Sequence, residues 1–467
     1  MNATMQENES LSVEDRRAQG KSLRKQVPRG SHGEWAPAAD RPDPLALLQA
    51  EDKGRLQQLL PIKYGRMLAS PFAFLRGSAL VMASDLVASP VSGLEVILCG
   101  DAHLSNFGIF ATPERDVVFD VNDFDECYPG PWEWDLKRLA ASAVVAGRGN
   151  GFDDKTNKKL AAMVSKAYRK AMKKLAAMSN LDVWYYHVDA STVVQLFDQR
   201  AKKSAKQAQK TVKKAQSHTT ARTLDKLTEI VDGKRQIASA PPLVVRLSDL
   251  ATEEQKKEAA DHGEIQHAWQ AYLESLPQER HRLLKRYHIT DAALRVGGVG
   301  SVGTRCMIAL FESEKPEDAL ILQQKEADHS ALEPYLSKQE FDSQAQRVVI
   351  GQRLMQASSD IFLGWDEART GTQYYWRQLK DEKGSFDVTK LDVDGLATYL
   401  AVCAACLARA HARAGEPAAI SGYLGGSDVF DKAISKFAVA YADQTEKDYQ
   451  ALVDAVNNGH IVAETGV

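Results

Sequence analysis

The segment Gly100-Asp101-Ala102-His103-Leu104-Ser105-Asn106-Phe107-Gly108 sets a carboxylate and a carboxamide five positions apart, directly after the apolar run 94–99. That run is short and bounded by Gly93 and Gly100, so it reads as a strand with Asp101 and Asn106 in a tight loop at its end. A loop of this length can aim both side chains at one phosphate, the Asp orienting an acceptor hydroxyl and taking its proton, the Asn holding a metal ion. A second strand, 116–121, leads into Asn122-Asp123-Phe124-Asp125-Glu126. Five acidic residues, Asp101, Asp120, Asp123, Asp125 and Glu126, then share a short span on two apolar strands, where their mutual repulsion is costly without a cation. Loop capping accounts for one or two such residues but not for five. Mg²⁺ takes hard oxygen ligands, usually one or two carboxylates plus substrate phosphates. Asn106 and Asp123 supply that number, and Asp125 is a further candidate ligand.

A second chemistry-bearing stretch is Val296-Gly297-Gly298-Val299-Gly300-Ser301-Val302-Gly303-Thr304-Arg305. Its Gly-x-Gly-x-x-Gly spacing at Gly298, Gly300 and Gly303 would need a following helix to form a dinucleotide site, and the strand-like residues 305–311 argue against one. Strand, glycine turn and strand is instead the phosphate-covering hairpin of kinase-like enzymes, with Gly298, Gly300, Ser301 and Gly303 toward the donor. The next strand ends in Lys325, where a kinase places the lysine that contacts the nucleotide phosphates. Its carboxylate partner is expected from the helix that follows, with Glu340 first and Glu333 behind it. The order is reversed relative to an ordinary kinase, since the loop near 101 precedes the hairpin near 298. The expected arrangement is therefore permuted, and Gln378-Leu379 begins the connector beside the adenine.

The elements that must carry these groups predict an α+β, helix-rich, two-lobe fold. Residues 1–40 read as a disordered tail, 41–290 as a helical catalytic lobe, 291–380 as a β-rich nucleotide lobe, and 381–467 as helices packing back onto the catalytic half. Helices are expected over 45–60 and 71–86, with Pro61 as the break. The lysine-rich stretch 201–214 reads as a solvated helix. The 467 residues carry 59 Lys and Arg against 62 Asp and Glu, a net charge of −3, which gives no global footprint for nucleic acid or an anionic membrane. Five scattered cysteines fit a reducing compartment, and a polar N-terminus lacks the apolar core of a secretion signal, so a cytoplasmic location is expected. The run 396–410 contains Thr398 and Tyr399 and ends near Arg409, short of the about 18 to 20 apolar residues of a spanning helix. Cys403 and Cys406 are core residues on this reading, without a second pair for zinc. Asp135 either caps its helix or braces the loop, His411 and Arg413 either cap or approach it, and Arg76 and Arg353 are either anion contacts or structural.

Residues 99–108, 122–126 and 130–139 together resemble the bacterial family catalogued as domain of unknown function 2252. The match extends upstream to 70–77 and downstream to 347–349, 351–353, 410–413 and 441–444, covering nearly everything after about residue 40; Leu75 departs where an aromatic is expected. The resemblance implies a protein-kinase-like fold, and the Gly-Asp-x-His segment is similar to that of aminoglycoside and choline phosphotransferases. Carried over, Asp101 is the base, Asn106 and Asp123 are metal ligands, and His103 braces the loop. The expected function is an ATP- and Mg²⁺-dependent phosphotransferase acting on a small molecule, with no nucleic-acid or membrane partner. A metal-dependent phosphoesterase is the first alternative, since Gly-Asp-x-His with nearby carboxylates can hold a two-metal centre; it leaves 298–303 and Lys325 unexplained. A nucleotide-binding regulator or an AMP-transferring enzyme is the other.

Overall fold

A computed structural model describes residues 11–466, apart from 218–219, 251–262, 316–317, 337–340 and 380–382. Four short strands, β1 (Glu95–Leu98), β2 (Phe107–Ala111), β3 (Val117–Val121) and β4 (Tyr128–Pro131), form two antiparallel pairs, β1 with β4 and β2 with β3. β4 holds two prolines and was not anticipated; each strand of a two-stranded pair has an open edge, which tolerates the missing N–H groups. After a hairpin of β5 (Thr228–Val231) and β6 (Lys234–Ile237) comes the main sheet, built from β7 (Val244–Arg246), β8 (His288–Arg295), β9 (Cys306–Glu312), β10 (Ala319–Glu326), β11 (Gly364–Glu367) and β12 (Gln373–Gln378). All its pairings are antiparallel, in the order β11-β12-β10-β9-β8-β7.

The register of this sheet sorts its chemistry by face. Residues directly opposite in antiparallel strands share a face, as do residues two apart in one strand. Lys325 stands opposite Cys306 and Tyr375, and Gln323 opposite Arg377. One end of one face therefore carries Cys306, Gln323, Lys325, Tyr375 and Arg377. The other face carries Ala309, Phe311, Leu320, Leu322 and Trp376, which pack with Tyr272 and Trp269 of the Gly263–Glu274 helix.

The remaining half is helical and holds the largest core. Its centre is the Val393–Ala414 helix, packed against the Asp154–Leu175 and Glu133–Gly149 helices. Trp132 stacks on Tyr168 with ring centroids 5.5 Å apart. Among the described residues, Val393–Ala414 is the one helix long and apolar enough to cross a membrane, and most of its apolar window is buried in this core. The Tyr399 hydroxyl donates from it to the carbonyls of Leu104 and Phe107, at 2.9 and 3.1 Å, fixing the loop between β1 and β2. The Lys202–Gln216 helix buries Ala205, Ala208, Val212 and Ala215 and turns its lysines to solvent. All five cysteines are buried and unpaired.

Two expectations are corrected near the N-terminus. Pro61 starts a helix instead of breaking one: it sits in the first turn of Leu60–Met67, where its missing N–H is not needed. Residues 11–40, expected as a loose tail, are built into the fold; residues 1–10 lie outside the described residues. A helix at Val13–Ser22, capped by Ser12 and Asp15, lies on the Pro417–Leu424 helix. Arg24 Nε donates to Tyr423 O at 2.8 Å, and buried His32 Nε2 is 2.6 Å from the Tyr423 hydroxyl. No apolar stripe announced this helix, because arginines and the small Gly20 make the contact. A Cβ at Gly20 would drive into the Ala419 backbone carbonyl. Gly20→Ala is expected to destabilise the protein by about 1–3 kcal/mol, read as a lowered urea midpoint; an unchanged midpoint would show that this helix does not dock.

Candidate functional site

A cavity of about 610 Å³ separates the charged end of the sheet from the loops after β1 and β3. Asp101, His103, Asn106, Asp123, Asp125 and Glu126 line one side, Gly297, Gly298 and Gly300 another, and Lys325, Arg377 and Gln323 the sheet face.

The loop carrying Asp101 is fixed from beneath. Gly100 has φ +82°, and a Cβ there would meet the Glu126 carbonyl, so only glycine suits the turn. Asp135 does not cap its own helix. Its oxygens accept the backbone N–H groups of Cys99 and Gly100 at 2.8 and 3.0 Å, and His411 Nε2 lies 3.0 Å from the same carboxylate, with His411 Nδ1 2.8 Å from the Tyr168 hydroxyl. Asn106 Nδ2 donates to Asp101 O at 2.6 Å, closing the loop on itself and leaving the amide oxygen as the Asn106 atom able to ligate a cation. Arg138 Nε donates to Asp101 Oδ1 at 2.8 Å, and its Nη2 to Leu75 O at 2.6 Å. His103 Nδ1 accepts the Ser105 N–H at 3.1 Å, so its proton belongs on Nε2, 3.3 Å from Asp101 Oδ2. Burial, reinforced by Arg76 and Arg138, holds His103 well below the usual histidine range, and it is neutral. Burial raises the Asp101 carboxyl, against the opposing charge of Arg138.

The second acidic turn departs from expectation at Asp125. Lys325 Nζ is bonded to one Asp125 oxygen, and the Tyr375 hydroxyl donates to the other at 2.7 Å. Both oxygens thus have protein partners, and Asp125 supplies the carboxylate for Lys325 that was expected from the following helix. The pairing follows from the sheet register, which sets Lys325 and Tyr375 side by side facing this turn. Glu333, the second carboxylate expected for Lys325, binds His329 Nδ1 at 2.8 Å and Gln344 Nε2 at 3.1 Å; Glu340 lies outside the described residues. Burial would raise Asp125, but the Lys325 charge and the two hydrogen bonds outweigh it and hold the carboxylate below its ordinary range. Asp123 is raised by burial and then by Asp125. Arg347 ties this turn to the sheet's loops, donating to the carbonyls of Asp125, Cys127 and Asp328 at 2.7, 2.6 and 2.8 Å.

The glycine segment forms a 3-10 turn, Val299–Ser301, instead of a plain hairpin tip. Gly298 and Gly300 line the cavity, whereas Gly303 does not: it has φ +92°, packs on the Arg55 side chain and accepts the Leu56 N–H at 2.7 Å. Arg55 Nη1 donates to the carbonyls of Gly300 and Val302 at 2.7 and 2.8 Å, and Arg66 to that of Gly297. These guanidinium groups offset the negative ends of the turn's peptides, which favours an anionic neighbour.

A family model described as an uncharacterized protein conserved in bacteria (DUF2252) matches residues 55–455. The chain belongs to this family. Neither a curated protein nor a solved structure matches it. Every cavity residue named above lies inside the DUF2252 span; the Val13–Ser22 helix lies before it.

Sequence reasoning missed several cationic groups in and behind the DUF2252 cavity. Arg138 could have been found, since it follows Asp135 by three positions on one helix and so shares its face. Arg377, half-buried and held above its usual range by Tyr375, Asp123 and Asp125 against desolvation, had no local signal, nor did Lys383, pushed down to about 7 by burial and Arg377. Arg353 and Arg413 are structural: they donate to the carbonyls of Leu363 and Leu354. For a divalent cation, Asn106 and Asp123 are the donors that fit. Asp123 is half-buried, forms no salt bridge among the described residues, and offers hard oxygen in the same cavity as Asn106. No cluster of three or more His, Cys, Asp or Glu among the described residues is arranged to hold a metal unaided, so a cation here needs phosphate or water oxygens as well.

Proposed function

We propose that the protein is an ATP- and Mg²⁺-dependent phosphotransferase acting on a small hydroxyl- or amino-bearing molecule, built as a permuted, protein-kinase-like pair of lobes. One observation carries the reading: Lys325 and the glycine turn meet Asp101 and Asp123 across a single cavity, although Lys325 and its partner Asp125 are 200 positions apart. Phosphoryl transfer asks a protein mainly for positioning and charge neutralisation. On this reading Asp101, held through Oδ1 by Arg138, turns Oδ2 to the acceptor group and takes its proton. Neutral His103 keeps that oxygen in place without adding charge. Lys325, Arg377 and the turn amides hold the donor phosphates, and Asn106 with Asp123 would hold Mg²⁺, which supplies neutralisation of the phosphate oxygens. The apolar end of the cavity, formed by Leu227, Leu243, Val296 and Leu379, suits an adenine. A two-metal phosphoesterase leaves Lys325 and the glycine turn without a role. The buried, unpaired cysteines support a reducing, cytoplasmic setting.

The test is thermal unfolding with ATP, GTP or ADP and Mg²⁺, joined to transfer assays with label on the γ- or α-phosphate. ATP with Mg²⁺ at a hundredfold excess over its Kd is expected to stabilise the protein by about 2.7 kcal/mol. Asp123→Ala is expected to lose the Mg²⁺-dependent part of that shift. No shift with any nucleotide would sink the proposal, and transfer of the α-label would reassign it to AMP transfer.

A further inference from the structure

We infer that Arg76 is the seat of an oxyanion, a phosphate or carboxylate group, bound beside Asp101 at the end of the cavity opposite the sheet. Arg76 ends the Pro71–Arg76 helix, whose first turn is capped by the Ser70 side chain, so its backbone is fixed. Its guanidinium lines the cavity yet makes no hydrogen bond or salt bridge to any described residue, and its Nε is buried without a partner. Among the other cations lining the cavity, Lys325 holds Asp125, Arg377 Nε donates to Gln323 Oε1 at 3.0 Å, and Arg66 donates to Gly297 O, while Arg138, behind the lining, holds Asp101. Arg295 also lacks an acceptor among the described residues, but its charged neighbours are Cys306 and Arg377, whereas those of Arg76 are Asp101 and Asp123. A guanidinium taken from water without an acceptor is costly, and its planar fork of donors matches a carboxylate or phosphate edge.

Asp101 and Asp123 both attract Arg76, but neither comes within salt-bridge distance of it. The gap between the arginine and the two carboxylates lies where the acceptor or the transferring group would sit. The wall behind it, with Glu51, Arg66, Arg76 and Gly77, belongs to a helical strap tied at both ends: Arg55 and Arg66 bind the glycine turn, and Leu75 O accepts from Arg138. A strap fixed in this way holds the Arg76 backbone in place beside the gap. Which molecule brings the anion rests on the phosphotransferase reading; the subsite itself does not.

The probe is inorganic phosphate, titrated calorimetrically into the full chain with Mg²⁺, alone and with ADP or ATP present. Phosphate binding is expected to weaken about tenfold or more in Arg76→Gln, to weaken less in Arg76→Lys, which keeps the charge and loses the fork, and to persist in Lys325→Met. Phosphate that binds together with ATP assigns the anion to the acceptor; phosphate displaced by ATP but not by ADP assigns it to the donor's γ-phosphoryl group. Unaltered phosphate affinity in a folded Arg76→Gln protein, checked by circular dichroism and unfolding midpoint, overturns the inference, as does absence of phosphate binding to the unaltered chain. Loss of phosphate in Arg76→Gln with no nucleotide binding to any variant would keep the subsite and reject the phosphotransferase.

Discussion

Asp101→Asn is expected to bind ATP and Mg²⁺ as the unaltered protein does and to transfer the γ-phosphoryl group about 10²- to 10⁴-fold more slowly. Asparagine preserves the shape of the side chain, and its oxygen can still accept from Arg138, so the loop held by Asp135 and the Asn106 amide stays in place. What it lacks is a second oxygen able to take a proton. Single-turnover transfer of labelled phosphate, set beside nucleotide titration, separates the two effects; full turnover in this variant would remove Asp101 from the mechanism. The unaltered enzyme should also show an acid limb. Burial places the Asp101 carboxyl above the ordinary carboxylate range, and the reactive form is the carboxylate, so the rate falls as pH drops through that raised value.

Arg409→Met should have the largest effect on stability, because it strands a buried charge. Arg409 and Asp120 side chains are 1% and 3% exposed, joined by contacts of 2.5 and 2.6 Å between Nη2 and the two carboxylate oxygens. Removing one member of such a pair costs about 3–5 kcal/mol. Asp120 retains the Val121 N–H at 2.8 Å, which is too little to offset a full charge. The double variant Asp120→Leu with Arg409→Met is expected to recover most of the loss, since it leaves no charge to bury. Urea unfolding of the four proteins closes the cycle; a double variant no more stable than the single would refute it. The pH dependence has a definite sign. Burial already raises the Asp120 carboxyl, and without Arg409 it rises further. A carboxyl raised in the folded state contributes fully below its unfolded value of about 3.9 and loses that contribution as pH rises through the folded value. The Arg409→Met deficit should therefore be smallest in acid and grow toward neutrality.

Local patterns in the chain showed much of this architecture, and long-range pairings did not. The apolar run before Gly100 is β1, the run ending at Lys325 is β10, and the lysine-rich stretch is a solvated helix, because each is a periodicity or boundary contained within a few residues. The partner of Lys325 was hidden, since it depends on how β10 and β12 register and on where the turn after β3 then falls. Asp125 looked like one more acidic residue in a cluster, and the cluster's repulsion is in fact relieved in pieces: by Arg138 at Asp101, by Arg409 at Asp120 and by Lys325 at Asp125. Asp123 and Glu126 are left without an ion pair among the described residues, and Glu126 accepts the Ala331 N–H at 2.6 Å. The arginines that tie the glycine turn, Arg55 and Arg66, carry no motif, and β4 was obscured by its prolines. The docked Val13–Ser22 helix is polar along its length, so no hydrophobic spacing revealed it.

That helix has a consequence for how the protein is made. It is synthesised well before the surface that receives it: Arg16 meets Glu416 across a separation of 400 residues, and Arg24 meets Tyr423 across 399. While the intervening chain is translated this helix has no native place to dock, and a polar surface suits that wait because it offers little for other nascent chains to stick to. Docking of this helix accordingly waits until the Pro417–Leu424 helix has been made.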